Sequence, residues 1–327
     1  MITFRSVFKN EFSDFLSLRK NSMSVSGYKH YRGYLVSFDT YLATLCLKER
    51  EITETIINGW LEKLKGKTSS KANEIISIRM FLKYLQISGI PVFLPITPKV
   101  ADDYIPYIFS DSELDKLFTA ADNFAVNYTQ HNPNMQIEFP MIMRLLYGCG
   151  LRIGETLKLQ MKDVDLDGGI ITVLHAKKNK QRLVPMSSTL AEILMQYCLA
   201  MGIIGTPDAF LFPGIDPSKP ASVRSIRNKF DVIAKKLEIT LKDRQWHERG
   251  PCMHCFRHVF AFKSFAKAER EGRSIDDSVP FLSVYLGHDS LNETEKYLKF
   301  SSEMYPKALN LFEEYTESVF PEVYYEK

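Results

Sequence analysis

Apolar residues recur at helical spacing four times in the first ninety residues, which limits this part of the chain to a small helical domain. Each group places its apolar side chains on one face of a helix. The groups are Phe4, Val7, Phe8, Phe12, Phe15 and Leu16; Tyr31, Tyr34, Leu35, Phe38, Tyr41, Leu42 and Leu45; Ile56, Ile57, Trp60, Leu61 and Leu64; and Ile75, Ile78, Phe81, Leu82 and Leu85. Thr53 is the expected N-cap of the third helix, and Gly89 is expected to end the fourth. We predict a four-helix domain over residues 1–95.

A proline-rich stretch follows this domain and predicts a linker over residues 96–108. Prolines cannot continue a helix or donate regularly to a sheet. They stand at Pro91, Pro95, Pro98 and Pro106. Ser110 and Glu113 then have the spacing of a capping box, which predicts the first helix of a second domain over residues 109–327.

The second domain combines helical patterns with one short β-type segment. Residues 170–174 and 182–184 read as strands on either side of the polar run Lys177-Lys178-Asn179-Lys180, which predicts a hairpin with a basic tip. Helical patterns return at residues 190–197, 226–237, 254–265 and 292–300. The predicted fold class is therefore mainly α with a small antiparallel β-sheet.

The charge is unevenly distributed along the chain, although the formal net charge is only +3. Residues 1–100 hold 15 Lys and Arg against 8 Asp and Glu, and the remaining residues hold 27 against 31. A net of +7 followed by a net of −4 fits a protein that binds a polyanion through its N-terminal part. Ordinary solvated charge explains the same counts.

Cysteine usage and hydropathy indicate a protein of the cytoplasm. The five cysteines are an odd number with no signal peptide ahead of them, as expected for reduced thiols. No apolar run reaches the roughly 18 residues of a membrane span, so we expect no membrane partner.

Five polar segments of the second domain carry side chains suited to phosphate chemistry. They are Gly150-Leu-Arg152-Ile-Gly-Glu155, Ala176-Lys177-Lys-Asn-Lys180-Gln-Arg182-Leu-Val-Pro185, His254-Cys-Phe-Arg257-His258, Leu286-Gly-His288 and Tyr297. Guanidiniums such as Arg152 and Arg257 can bind two phosphate oxygens at once and offset developing charge without a metal ion. Tyr297 can act as a nucleophile that keeps the energy of the broken bond in a phosphotyrosine.

Each residue also has an ordinary structural explanation when taken alone. Arg152 suits a helix start, and Lys-rich turns are usually solvated. His254 and His258 could be a core histidine with an exposed neighbour, and an isolated tyrosine usually packs. The order and separations of the segments together favour the catalytic interpretation.

In this order and spacing, the segments resemble the tyrosine recombinase or phage integrase family, within it the two-domain Xer-like members. The resemblance covers roughly residues 105–300. It implies an N-terminal four-helix (SAM-like) core-binding domain, an α+β catalytic domain, and cleavage of DNA through a covalent 3′-phosphotyrosine.

The resemblance also implies roles for individual residues. Lys177, the first lysine of the turn, would protonate the leaving 5′ oxygen, and His254 would be the general acid-base residue. His288 would be a supporting donor. Glu155, one helical turn after Arg152, could orient that guanidinium or cap the following helix. We expect DNA contacts from Lys178, Lys180 and Arg182.

The expected partner is double-stranded DNA at recombination sites in the nucleoid, with neither a cofactor nor a small-molecule substrate. The family implies a homotetramer on two DNA sites and a monomer or weak oligomer without DNA. Integration or excision of a mobile element and resolution of DNA multimers both fit this chemistry.

Four alternatives remain open. A type IB topoisomerase uses similar groups, an accessory protein would bind DNA without cutting it, and a metal-dependent nuclease would need clustered carboxylates. Cys252, His254, Cys255 and His258 could instead form part of a zinc site, but no second cysteine pair follows.

Three features depart from the family pattern or stay ambiguous. Pro251-Cys-Met precedes His254 where Ser or Thr beside Pro is common, and residues 127–138 read as a polar surface insertion. An apolar stripe near the C-terminus could dock on a neighbouring subunit or pack within its own chain; it comprises Ala308, Leu309, Leu311, Phe312 and Tyr315.

Overall fold

The computed structural model describes residues 4–23, 25–100, 106–123, 134–174, 181–241, 250–288, 290–295 and 297. The chain divides into two compact units, residues 1–102 and 103–327. This boundary lies inside the segment for which the sequence predicts a linker.

Four helices lie in the part of the first unit that the structure describes. They are α1 (Lys9–Lys20), α2 (Val25–Thr44), α3 (Glu54–Lys63) and α4 (Thr68–Ile87). The Thr53 hydroxyl accepts the Ile56 N–H at 3.4 Å, which caps α3 as predicted. Gly89 follows α4 with φ +79°, a conformation that favours glycine.

Aromatic rings from α1, α2 and α4 fill the core of this unit. Phe12 stacks on Phe81 with ring centroids 4.0 Å apart, and Trp60 of α3 meets Phe38 edge-on at 5.0 Å. The predicted apolar faces are wrong at two positions, since Val7 and Leu45 are 43% and 38% exposed. Both residues lie just outside a helix, Val7 before α1 and Leu45 after α2.

The other helices of the described ranges, and the sheet, lie in the second unit. The helices are α5 (Asp111–Asp122), α6 (Met135–Cys149), α7 (Ile153–Thr156), α8 (Ser188–Ala200), α9 (Val223–Lys236), α10 (His254–Arg270), α11 (Ile275–Leu286) and α12 (Asn292–Glu295). The Ser110 hydroxyl accepts the Glu113 N–H at 3.2 Å and the Glu113 carboxylate accepts the Ser110 N–H at 2.8 Å, which is the predicted capping box.

A three-stranded antiparallel sheet lies in the second unit. Its strands are β1 (Val164–Asp165), β2 (Ile170–Val173) and β3 (Arg182–Pro185), in the order β1-β2-β3. Val173 is paired with Arg182, so Arg182 stands at the end of the sheet nearest the β2–β3 connection. The predicted fold class, mainly α with a small antiparallel sheet, is confirmed.

Helix α6 forms the centre of the second unit and packs against α10. The polar insertion predicted over residues 127–138 is wrong at its C-terminal end, because Met135 and Glu138 belong to α6 and are 2% and 0% exposed. Its earlier part falls outside the described residues. The C-terminal end of α6 leads directly to Arg152, which places the start of the site beside the core.

Candidate active site

Arg152 is presented by a sharp turn after α6. Gly150 ends the helix with φ +58°, and an added Cβ there would lie 2.5 Å from the Phe260 ring. Only glycine fits this turn without displacing the ring. Arg152 then becomes the N-cap of α7, with a side chain that is 33% exposed. The guanidinium is thus anchored in the protein but still open to solvent.

Glu155 holds Arg152 in two ways. One carboxylate oxygen accepts the Arg152 guanidinium at 3.0 Å, and the other accepts its backbone N–H at 3.0 Å. The two possibilities raised by the sequence, orienting Arg152 and capping α7, therefore occur together. Burial raises the pKa of Glu155, but hydrogen bonds and charge from Arg182 and Arg152 outweigh burial and bring this pKa to about 2. Glu155 is a carboxylate at neutral pH.

Arg257 lies on α10 and is 1% exposed. Its guanidinium donates to the carbonyl oxygens of Gly150 at 2.6 Å and Leu286 at 2.7 Å, and it lies 3.0 Å from Nε2 of His288. Burial lowers the pKa of Arg257 to about 10, with a further lowering from the charge of Arg152. Arg257 remains a cation at neutral pH and joins the ends of α6 and α11.

His288 follows the left-handed residue Gly287 that ends α11. Because Arg257 can only donate, His288 Nε2 must accept, which leaves the proton on Nδ1 to be donated to the Thr294 hydroxyl 2.6 Å away. Burial lowers the pKa of His288 to about 3, and the charges of Arg257 and Arg152 add to this effect. His288 is therefore neutral, and donating Nε2–H to a phosphate would require a change in this arrangement.

Tyr297 is 5% exposed and packs among the histidines. Its ring lies 5.4 Å from the ring of His258, 6.0 Å from that of His288 and 6.0 Å from that of Phe262. Burial raises the pKa of Tyr297, while the charge and hydrogen bonding of Arg257 oppose this rise. The phenol is thus protonated and close to Arg257.

His254 and His258 occupy successive turns at the start of α10. His254 is exposed and His258 is 6% exposed. This matches the alternative of a core histidine with an exposed neighbour. Their rings are 4.7 Å apart, so the ring of His258 contacts both His254 and Tyr297. His258 was not predicted as a site residue from the sequence. Its position four residues after His254 could have indicated it, because residues four apart lie on one helix face.

The basic hairpin is described only at its base. Lys177, Lys178 and Lys180 fall outside the described residues. Arg182, predicted to contact DNA, is 7% exposed, and its guanidinium donates to Glu155 at 2.8 and 3.2 Å and to the Tyr285 carbonyl at 2.9 Å. Its hydrogen bonds are made inside the protein.

Cys252 and Cys255 flank His254, with their Sγ atoms 3.5 Å apart. All five cysteines lie in described parts of the chain, and none forms a disulfide. In those parts, no three His, Cys, Asp or Glu side chains are grouped so that they could hold a metal ion. None of the helices within the described ranges is long and apolar enough to span a bilayer.

The chain is similar in sequence to known proteins. The family model described as "Phage integrase family" matches residues 109–304. Tyrosine recombinase XerC of Chlorobaculum parvum is 31% identical over 73% of this chain and 72% of its own length. A tyrosine recombinase of Pseudothermotoga lettingae is 27% identical over 88% of this chain and 91% of its own length.

A similar fold is found among solved structures. The XerH site-specific recombinase, solved in a post-cleavage complex with a palindromic difH substrate, superposes with a TM-score of 0.66. The match covers 96% of this chain and 91% of XerH at 17% identity. This likeness concerns the fold.

Proposed function

The chain belongs to the phage integrase family and is a tyrosine-type site-specific DNA recombinase, and we propose that it cuts DNA through a covalent bond between Tyr297 and a 3′ phosphate. The proposal assigns the cationic roles to Arg152, Arg257 and Lys177. It assigns proton exchange with the phenol to His254.

One observation carries the proposal. The ring of Tyr297 lies 6.0 Å from His288, and His288 lies 3.0 Å from the buried guanidinium of Arg257. A phenol in a protein core has no need of a buried cation beside it, and a nucleophile for phosphate does. The carbonyls of Gly150 and Leu286 fix Arg257 in place, so its charge is already oriented before DNA binds.

In the proposed step, the phenolic oxygen of Tyr297 attacks the phosphorus as its proton passes to His254. The bond from phosphorus to the 5′ oxygen breaks, and that oxygen takes a proton from Lys177 and leaves as a hydroxyl. Arg152 and Arg257 bind the nonbridging oxygens as charge builds there. Because burial raises the pKa of Tyr297, the proton is lost during attack rather than beforehand.

Rejoining reverses this step with a 5′ hydroxyl from the partner duplex. That hydroxyl attacks the phosphorus and gives its proton to Lys177. The bond from phosphorus to the Tyr297 oxygen breaks, and the phenol takes back its proton from His254. The number of phosphodiester bonds is unchanged, so the exchange needs no ATP. In the proposed step the guanidiniums of Arg152 and Arg257 offset the charge on the phosphate, which is the role that a divalent metal ion would otherwise have.

DNA is the proposed partner of both units. XerH was solved with its own difH substrate. The net charge of +7 over residues 1–100 supports placing the first unit on the phosphate backbone. For strand exchange between two duplexes we propose four protomers on two sites, associated with the nucleoid.

Covalent capture from a randomised DNA pool tests the proposal and identifies the target sequence in the same experiment. Nicked duplexes with a random core are incubated with the full chain, and strands that stay linked to protein in detergent are recovered and sequenced. We expect enrichment of one sequence, here called the selected duplex. The released strand should carry a 5′ hydroxyl that polynucleotide kinase labels directly.

Two variants and one condition make this test specific. Tyr297→Phe should give no adduct, whereas Tyr197→Phe, which alters another buried tyrosine of the same unit, should react like the wild type. Adduct formation should also persist in chelator. If the protein binds DNA but forms no adduct, only a DNA-binding role remains. If adducts form on all sequences and any supercoiled plasmid is relaxed, the protein acts as a topoisomerase.

A further inference from the structure

Arg182 joins three separate parts of the second unit. It is the first residue of β3, its two terminal nitrogens donate to Glu155 at the start of α7, and its Nε donates to the Tyr285 carbonyl near the end of α11. Its side chain is 7% exposed. The N–H donors of this guanidinium already bind acceptors within the protein, and little of the side chain is exposed. It therefore has little surface with which to bind a phosphate.

Arg182 and Arg152 share one hydrogen-bond partner, and both lie against Gly287. Glu155 accepts from both guanidiniums, and the Gly287 carbonyl accepts from Arg152 at 3.4 Å. Gly287 in turn lies against Arg182, because an added Cβ at Gly287 would be 2.9 Å from Nη1 and 3.0 Å from Cδ of Arg182. Arg182 therefore contacts both groups that hold Arg152.

The charge balance depends on Arg182 as well. Glu155 is 8% exposed, and a buried carboxylate stays ionised only while cations and hydrogen bonds offset its lost hydration. Arg152 alone supplies one guanidinium hydrogen bond, and it must also meet the substrate. Arg182 supplies two hydrogen bonds to Glu155 from a side chain that is only 7% exposed.

From this geometry we propose that Arg182 is a positioning residue for DNA cleavage, acting through Glu155 and Gly287 to hold Arg152 in place, and is not a DNA contact. The inference rests on the proposed function, because it assumes that Arg152 binds the phosphate that is cut. Arg182 also begins the strand after the segment with Lys177, so the same side chain anchors the base of that hairpin.

A double-mutant cycle separates positioning from DNA contact. Adduct formation on the selected duplex is measured in a single turnover for the wild type, Arg182→Met, Glu155→Gln and the double variant. We expect at least a tenfold slower reaction for Arg182→Met, with affinity and its salt dependence unchanged. The double variant should be no slower than the slower single variant, because both act through one path.

The pH profile gives a readout that loss of packing would not produce. Without Arg182 the pKa of Glu155 should rise, since burial then acts with only Arg152 to oppose it. As the pH falls through the raised value, Glu155 takes up a proton and releases Arg152. The rate of adduct formation by Arg182→Met should therefore fall at acidic pH, over a range in which the wild-type rate is constant. Arg182→Lys should recover part of this loss.

Two controls keep the test decisive. Arg144→Met removes another guanidinium paired with both oxygens of a carboxylate, that of Asp122, and should cleave like the wild type. If Arg182→Met alone fails to fold, the double variant removes the unpaired carboxylate, and Arg182→Lys keeps the charge. The proposal would be overturned if Arg182→Met bound DNA more weakly, with a shallower salt dependence, but cleaved it at an unchanged rate. It would also be overturned if the rate losses of the two single variants multiplied in the double variant.

A measurement without DNA separates this inference from the proposed function. The Glu155 carboxyl is titrated by carbon NMR in the wild type and in Arg182→Met. A raised pKa in the variant supports the coupling even if the wild type forms no adduct, in which case only the proposed function fails. An unchanged pKa would refute the coupling even if the wild type cleaves DNA.

Discussion

At the residue scale, the partner of each guanidinium determines how much positive charge the site offers to DNA. Arg257 is held by the carbonyl oxygens of Gly150 and Leu286, which fix its direction without neutralising it. Arg152 and Arg182 share the single carboxylate of Glu155. Three guanidiniums and the carboxylate that two of them share give these groups a formal charge of +2. The phenol of Tyr297 itself is acted on by the cations Arg257 and Arg152 and by the anion Glu293. A phosphate diester would meet this excess charge already in place.

Replacing Arg257 by lysine should impair both folding and cleavage. An ammonium cannot reach the Gly150 carbonyl, the Leu286 carbonyl and His288 together, so buried acceptors lose their donors. We expect a loss of roughly 2–4 kcal/mol in the free energy of unfolding. Adduct formation should slow by about 100-fold or more. Urea unfolding and single-turnover assays measure these effects, with the exposed Arg270→Lys on the same helix as control.

His288 predicts a specific pH dependence of stability. Burial first, and the charge of Arg257 second, lower its pKa to about 3 from an ordinary value of 6.5. A histidine with a lowered folded-state pKa contributes stability that is present above pH 6.5 and is lost as the pH falls towards 3. The wild type should lose unfolding free energy more steeply across this window than His288→Gln, which keeps an acceptor for Arg257. Parallel pH curves for the two proteins would refute the assignment.

At the element scale, the end of α11 matters because it touches the site. Gly287 and Gly202 have nearly the same backbone angle, φ +66° and +64°, but only Gly287 has another side chain within 4 Å of an added Cβ. Gly202→Ala should therefore cost about 1 kcal/mol for strain alone.

Gly287→Ala should cost about 2–4 kcal/mol, because its methyl group also collides with Arg182. It should slow adduct formation as well, and Gly202→Ala should not. Urea unfolding of the matched pair measures the difference. Equal stability losses would show that Arg182 yields freely at this contact.

The elements that the sequence predicted are those with local signals. Thr53 and Ser110 mark helix starts through hydrogen bonds to residues three positions later. Helix α6 has no side-chain cap, and it lacks the contrast between an apolar and a polar face that predicts a helix, because it is buried on most faces. Both α6 and α11 also contain a proline, which argues against a helix when only the sequence is known.

Contacts within the site were harder to predict because they span the chain. Motif order predicted Arg152, Arg257, His288 and Tyr297 as site residues, and the structure places His288 next to both Arg257 and the ring of Tyr297. The burial of Arg182 could not be predicted, since its partners lie 27 and 103 positions away in sequence. A basic residue beside a lysine-rich turn reads as solvated or DNA-bound until those partners are known.

At the scale of the whole molecule, charge separation predicts strongly salt-dependent DNA binding. Residues 1–100 carry a net charge of +7, and phosphate contacts release counterions on binding. If ~6 or more phosphates are contacted, affinity for the selected duplex should fall by about 10³-fold between about 50 and 200 mM salt. Fluorescence anisotropy over a salt series measures how the logarithm of the affinity changes with the logarithm of the salt concentration. An affinity that does not change with salt would contradict this account of the first unit.

The central claim is that the phenol of Tyr297 becomes bonded to DNA, and mass spectrometry of the trapped adduct tests it most directly. The protein linked to the selected duplex is digested with nuclease and protease, and the modified peptide is sequenced. We predict a nucleotide attached through its 3′ phosphate to Tyr297. Attachment at any other residue, or a peptide with unmodified Tyr297 from a fully linked sample, would contradict the account.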